Sequence, residues 1–135
     1  MQLAHRASSA VAENQLSRHG GLTYLEVPTL VPAESAAFYE HVLGWTVEER
    51  GPEDLRFRDP DGHLIGRWMK GRDIHASPGL VPYFYVDDID EAVRQVAARG
   101  GEVVEGPRPE GNLRVAQVRD PAGNLLGLWQ APLAA

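Results

Sequence analysis

Glu26 is the residue with the most chemistry within reach of its side chain. It lies in the run Leu22 to Pro28 (LTYLEVP), whose alternation predicts a strand, so Tyr24 and Glu26 share one face. A carboxylate directed into an apolar recess serves as a general base or as the anchor of a cationic ligand, and a neighbouring phenol donates a proton or a hydrogen bond. Tyr83 and Tyr85 share a strand face in the same way within PYFYV. Other chemistries are poorly supplied. The chain has no cysteine, hence no thiolate nucleophile, no disulfide and no thiolate metal site. It contains no G-x-S-x-G, H-E-x-x-H, G-x-G-x-x-G or Walker-type loop. His63 follows a turn, His75 lies in a Gly/Pro/Ser-rich segment and His41 on a helix, and none has a second His at a metal-site spacing. The acidic cluster Asp87, Asp88, Asp90 and Glu91 reads as charge at a helix N-terminus.

Regular elements must position these residues. After Leu22–Pro28, the segment Pro32 to Leu43 predicts a helix opened by proline and stopped by Gly44. Strands are predicted near Trp45 to Arg50, Leu55 to Arg58 and Leu64 to Met69. The order then repeats: strand Pro82 to Val86, helix Ile89 to Arg99 with Asp88 and Glu91 as a capping-box start, then strands Glu102 to Glu105, Leu113 to Arg119 and Leu125 to Gln130. Residues 1–20 read as an N-terminal extension or loose helix, with a partner-contacting arm as the sharper reading, and residues 21–135 as one domain. Within it, module one spans 21–70, the linker 71–80 and module two 81–130. The halves are copies. Arg58 to Trp68 (RDPDGHLIGRW) and Arg119 to Trp129 (RDPAGNLLGLW) match at seven of eleven positions, 61 residues apart. A unit this small cannot bury its own apolar face, so the two must pack together.

A strand, an FY-containing helix, Leu43-Gly44-Trp45 and then Arg58-Asp59-Pro60-Asp61-Gly62, followed by Val86-Asp87-Asp88 and Arg119-Asp120-Pro121-Ala122-Gly123-Asn124, resembles the vicinal-oxygen-chelate superfamily of glyoxalases, bleomycin-resistance proteins and extradiol dioxygenases. The resemblance implies an α+β fold of two tandem βαβββ modules whose curved mixed sheets surround a cleft, commonly in a homodimer. In metal-dependent relatives the ligands lie on the first strand of each module and at the fourth position after each turn glycine. Those positions here are Leu22, Val81, Gly66 and Gly127, none of which has a donor side chain, so no metal or other cofactor is expected. Taking the same register as cleft-facing puts Tyr24, Glu26, Tyr83 and Tyr85 inward, with Leu64 and Trp68 from one last strand and Leu125 and Trp129 from the other.

Such an aromatic wall with one carboxylate suits a small aromatic or hydrophobic molecule, held for sequestration or resistance. The alternative is a metal-independent isomerase, lyase or hydrolase with Glu26 as general base and a tyrosine as donor. A net charge of −6, with 13 Lys and Arg against 19 Asp and Glu, argues against nucleic-acid binding. No apolar run approaches the roughly 20 residues that cross a bilayer. A soluble, cytoplasmic protein is the expectation.

Overall fold

A computed structural model describes residues 15–132. Among them the order is β1 (Tyr24–Pro28), α1 (Pro32–Leu43), β2 (Thr46–Glu49), β3 (Leu55–Arg58), β4 (Ile65–Met69), β5 (Tyr83–Tyr85), α2 (Ile89–Ala98), β6 (Glu102–Glu110), β7 (Leu113–Arg119) and β8 (Leu125–Gln130). This is the expected α+β pair of βαβββ modules. Each builds a four-stranded mixed sheet, ordered β1-β4-β3-β2 and β5-β8-β7-β6, with the first and last strands of the module parallel. The first fourteen residues, most of the predicted extension, lie outside the described part. Its described end packs on module one: Leu16 is buried, and Arg18 donates to the carbonyls of Leu22 and His63.

Local chemistry sets the helix ends. Pro32 opens α1, whose last turn closes on Gly44 in the left-handed conformation (φ 73°), with the Gly44 N–H bonded to the Glu40 carbonyl. Asp88 caps α2 by accepting the Glu91 N–H at 3.1 Å. The strand predicted at Glu102 to Glu105 runs on to Glu110, through Gly106-Pro107 and Pro109. β6 is an edge strand with register shifts on both sides of Glu105, and edges and bulges are where a ladder tolerates proline.

The two modules share one core. Phe38 and Tyr39 of α1, Trp45, Phe57 and Trp68 from module one meet Ile89, Val96, Val118, Leu126 and Leu128 from module two. Trp45 lies between rings, stacked on Phe57 at 4.3 Å and on Tyr39 at 4.7 Å, with Phe84 of module two against it edge-on at 5.6 Å. Polar ties lock the junction: the buried Tyr39 hydroxyl donates to Asp120 Oδ2 at 2.8 Å, and Asn124 Nδ2 donates to the Pro28 carbonyl at 2.7 Å. Because the inner faces of both sheets meet this core, their outer faces point away from it.

The two copies of the repeated motif do not use it alike. Arg58 pairs with Ile65 across β3 and β4, whereas Arg119 pairs with Leu125 across β7 and β8, so the turn of module one holds one more residue than that of module two. The hydrogen bonds record the difference. Asp120 Oδ1 gathers the N–H groups of Ala122, Gly123 and Asn124, and the Asp120 N–H closes on the Asn124 carbonyl. Asp59 Oδ1 takes the N–H groups of His63 and Leu64, and its own N–H closes one residue later, on the Leu64 carbonyl. A one-residue shift in pairing turns every following side chain to the opposite face.

Candidate functional site

That shift corrects part of the cleft-facing set. In module two Tyr83 pairs with Gly127 and Tyr85 with Trp129, so these four share the outer face, as the alternation predicts. In module one Tyr24 pairs with Ile65 and Glu26 with Arg67, while Gly66 and Trp68 stand beside Leu25 and Val27 on the core face. Leu64 and Trp68 are therefore core residues, 7% and 3% exposed. Ile65 and Arg67 take the outer positions that the sequence assigned to their neighbours. The signal that finds them is the turn's hydrogen bonding, which a constant 61-residue offset conceals.

The outer face of the first sheet is charged. Tyr24, Thr46, Glu48, Arg56, Arg58 and Ile65 line a cavity of about 310 Å³. The Arg56 guanidinium forks onto Asp54, at 2.8 and 3.1 Å, and that hydrogen-bonded carboxylate raises its pKa further above the ordinary arginine value. Glu48 is held by Arg50 at 2.8 Å. Glu26 does not stand free in an apolar recess. Arg72 of the linker reaches its carboxylate at 3.1 Å, and Arg67 approaches it at 3.7 Å. Arg67 Nε is itself buried without an acceptor.

The outer face of the second sheet is aromatic. Tyr83 and Tyr85 are 48% and 50% exposed. Tyr85 meets Trp129 edge-on at 4.9 Å, and the Tyr83 ring lies over Gly127 with its hydroxyl receiving a hydrogen bond from Gln117 Nε2 at 2.9 Å. Glu26 and Leu125 join a separate cavity of about 230 Å³ at the module junction, floored by Leu25, Val27 and Leu126 and rimmed by His75 of the linker. Within one chain the eight candidate residues thus fall into the first outer face, the second outer face, the junction cavity and the core.

A divalent ion does not fit the positions that relatives use. The space a side chain would need at Gly66 is filled by the Leu25 carbonyl and the Phe57 ring, and at Gly127 by the Tyr83 ring. Leu22 and Val81 offer hydrocarbon only. Among the described residues no three His, Cys, Asp or Glu side chains gather as a metal site would require, and no helix is long and apolar enough to cross a membrane.

A family model described as "Glyoxalase/Bleomycin resistance protein/Dioxygenase superfamily" matches residues 21–128. "Putative glyoxylase CFP32" of Mycobacterium bovis is 26% identical over 127 residues; the match covers 84% of this chain, which spans about half (47%) of that relative's length. Among solved structures, the fosfomycin resistance protein FosX of Listeria monocytogenes superposes with a TM-score of 0.67 at 20% identity, covering 84% of this chain and 93% of that one. TnmS3, an antibiotic binding protein from Streptomyces, gives a TM-score of 0.62 at 22% identity, covering 83% and 96%. Both are likenesses of fold.

Proposed function

Because this chain belongs to the glyoxalase/bleomycin resistance protein/dioxygenase superfamily, we propose that it binds a small aromatic or hydrophobic organic molecule, without a metal, in a cleft that two copies of the chain complete. The single observation that carries this reading is the strip of Tyr83, Tyr85 and Trp129 on the second sheet: three large rings at a surface, two of them half exposed, on one pair of hydrogen-bonded strands. Rings presented this way stack on flat ligands or cover another surface. A second copy supports both uses. The two outer faces of one chain point away from its core, so a second copy whose second sheet met the first sheet of this one would close a cleft between a charged and an aromatic wall. The likeness to an antibiotic binding protein and a fosfomycin resistance protein agrees with sequestration or resistance as the role.

The enzyme reading with Glu26 as base has less support, since that carboxylate is already paired with Arg72 at 3.1 Å. Thermal-shift and calorimetric screening of aromatic natural products tests the binding reading. A hit whose affinity falls about tenfold or more in Tyr85→Ala or Trp129→Ala is the expected result, in line with ring contacts of order 1 kcal/mol or more each. Hits indifferent to both substitutions, or none across a broad panel, would overturn it.

A further inference from the structure

We infer that the first sheet's outer face is an oxyanion subsite, so that the molecule bound there carries a carboxylate, sulfonate or phosphonate beside its apolar body. This rests on the binding reading above and names the class of ligand.

Three guanidinium groups occupy that face, those of Arg56, Arg58 and Arg67, in a chain whose net charge is −6. Arg56 and Arg67 stand directly opposite each other across β3 and β4, an arrangement of like charges that costs stability unless something compensates it. The carboxylates nearby are committed elsewhere: Asp54 holds Arg56, Glu48 holds Arg50, and Glu26 is closest to Arg72. Arg58 is exposed and its side chain makes no hydrogen bond or ion pair among the described residues, and the Arg67 guanidinium makes only the 3.7 Å approach to Glu26, beyond hydrogen-bond length. Two planar, permanently charged forks are therefore unsaturated on one sheet face, each able to grip an oxyanion through paired N–H groups. Arg58 and Arg67 are diagonal neighbours in the β3–β4 ladder, a separation of about 7–8 Å between backbones that long side chains close easily. Arg58 also lines the 310 Å³ cavity with Tyr24 and Ile65, which offer a phenol and a hydrocarbon surface for the rest of the ligand. The turn register creates this site. With the pairing of module two, Arg67 would face the core.

Two fluorescent probes on one ring system test the assignment with the full chain: 8-anilinonaphthalene-1-sulfonate, and uncharged N-phenyl-1-naphthylamine. The sulfonate is expected to bind about tenfold or more tightly than the neutral amine, and Arg58→Ala or Arg67→Gln to remove that preference while leaving the amine's affinity unchanged. Arg58→Lys should restore only part of it, since an ammonium lacks the fork. Equal binding of the two probes overturns the oxyanion subsite and leaves the binding reading standing. A preference for the sulfonate that survives both arginine substitutions overturns the placement on this face, and binding of neither probe overturns the oxyanion subsite, the binding reading being decided by the broad panel.

Discussion

A methyl group added at Gly66 and one added at Gly127 meet different neighbours, although both glycines occupy the same position of the repeated motif. At Gly66 the intruder meets the Leu25 carbonyl and the Phe57 ring, both fixed in the sheet and core. Gly66→Ala is expected to destabilise by roughly 3 kcal/mol in chemical denaturation, as overpacking of a filled core does. At Gly127 the nearest atoms are those of the Tyr83 ring, which is half exposed at the surface and tied by one hydrogen bond from Gln117. Gly127→Ala should cost less, about 1–2 kcal/mol, because a surface ring can yield at the expense of that hydrogen bond. Equal costs would mean that the two strands present the same face. Tyr39 supplies a second test at this scale. Burial, and then the negative charge of Asp120, push its phenol well above the ordinary tyrosine value of 10.0. A folded-state pKa raised in this way contributes stability that is complete below about pH 10 and is lost as pH climbs beyond it. Melting curves from pH 8 to 11.5 should show an alkaline decline that is smaller in Tyr39→Phe. That variant should lose about 1 kcal/mol at neutral pH, for the hydrogen bond to Asp120.

At the scale of elements, the decisive object is the turn before each last strand. Asn124 secures its turn by donating to Asp120 Oδ2 at 2.8 Å and to the Pro28 carbonyl at 2.7 Å, whereas the N–H groups on Asp59 belong to His63 and Leu64. The tryptophans that follow end on opposite faces. Trp68→Ala should therefore cost about 3–5 kcal/mol of stability, as truncation of a core aromatic does. Trp129→Ala should leave the melting temperature nearly unchanged while weakening an aromatic ligand; a large loss of stability from Trp129→Ala with little from Trp68→Ala would refute the assignment of faces. This is also where the sequence was most and least legible. Proline at the start of α1, glycine after it and the Asp88 cap mark both helices, because those signals act within a few residues of chain. Tyr83, Tyr85, Gly127 and Trp129 could be placed on a common face because alternation is a local rule and module two obeys the simplest register. Leu64 and Trp68 could not, because their facing depends on which carbonyl a turn N–H selects. Neither could Arg58 and Arg67 as a pair, since Arg67 reaches the face of Arg58 only through that same turn register.

At the scale of the whole molecule, one chain hides the inner faces of both sheets in a single core, and among the described residues no element packs over either outer face. A homodimer that pairs a charged face with an aromatic one would complete two equivalent clefts by symmetry. Analytical ultracentrifugation is expected to give twice the chain mass, and Tyr85→Arg to shift the protein toward monomer with parallel loss of ligand binding. A monomer at micromolar concentration that still binds would contradict the shared cleft. The unequal turns have a bearing beyond this site. Tandem copies have a period, here 61 residues, and also a phase, the side of the sheet on which a given letter of the motif appears. A single exchange of backbone hydrogen-bond partner alters the phase and so re-presents an entire strand, placing Ile65 and Arg67 where the other copy shows Leu125 and Gly127. A duplicated domain can thus acquire a chemically new wall in one step, with its motif spelled almost as before.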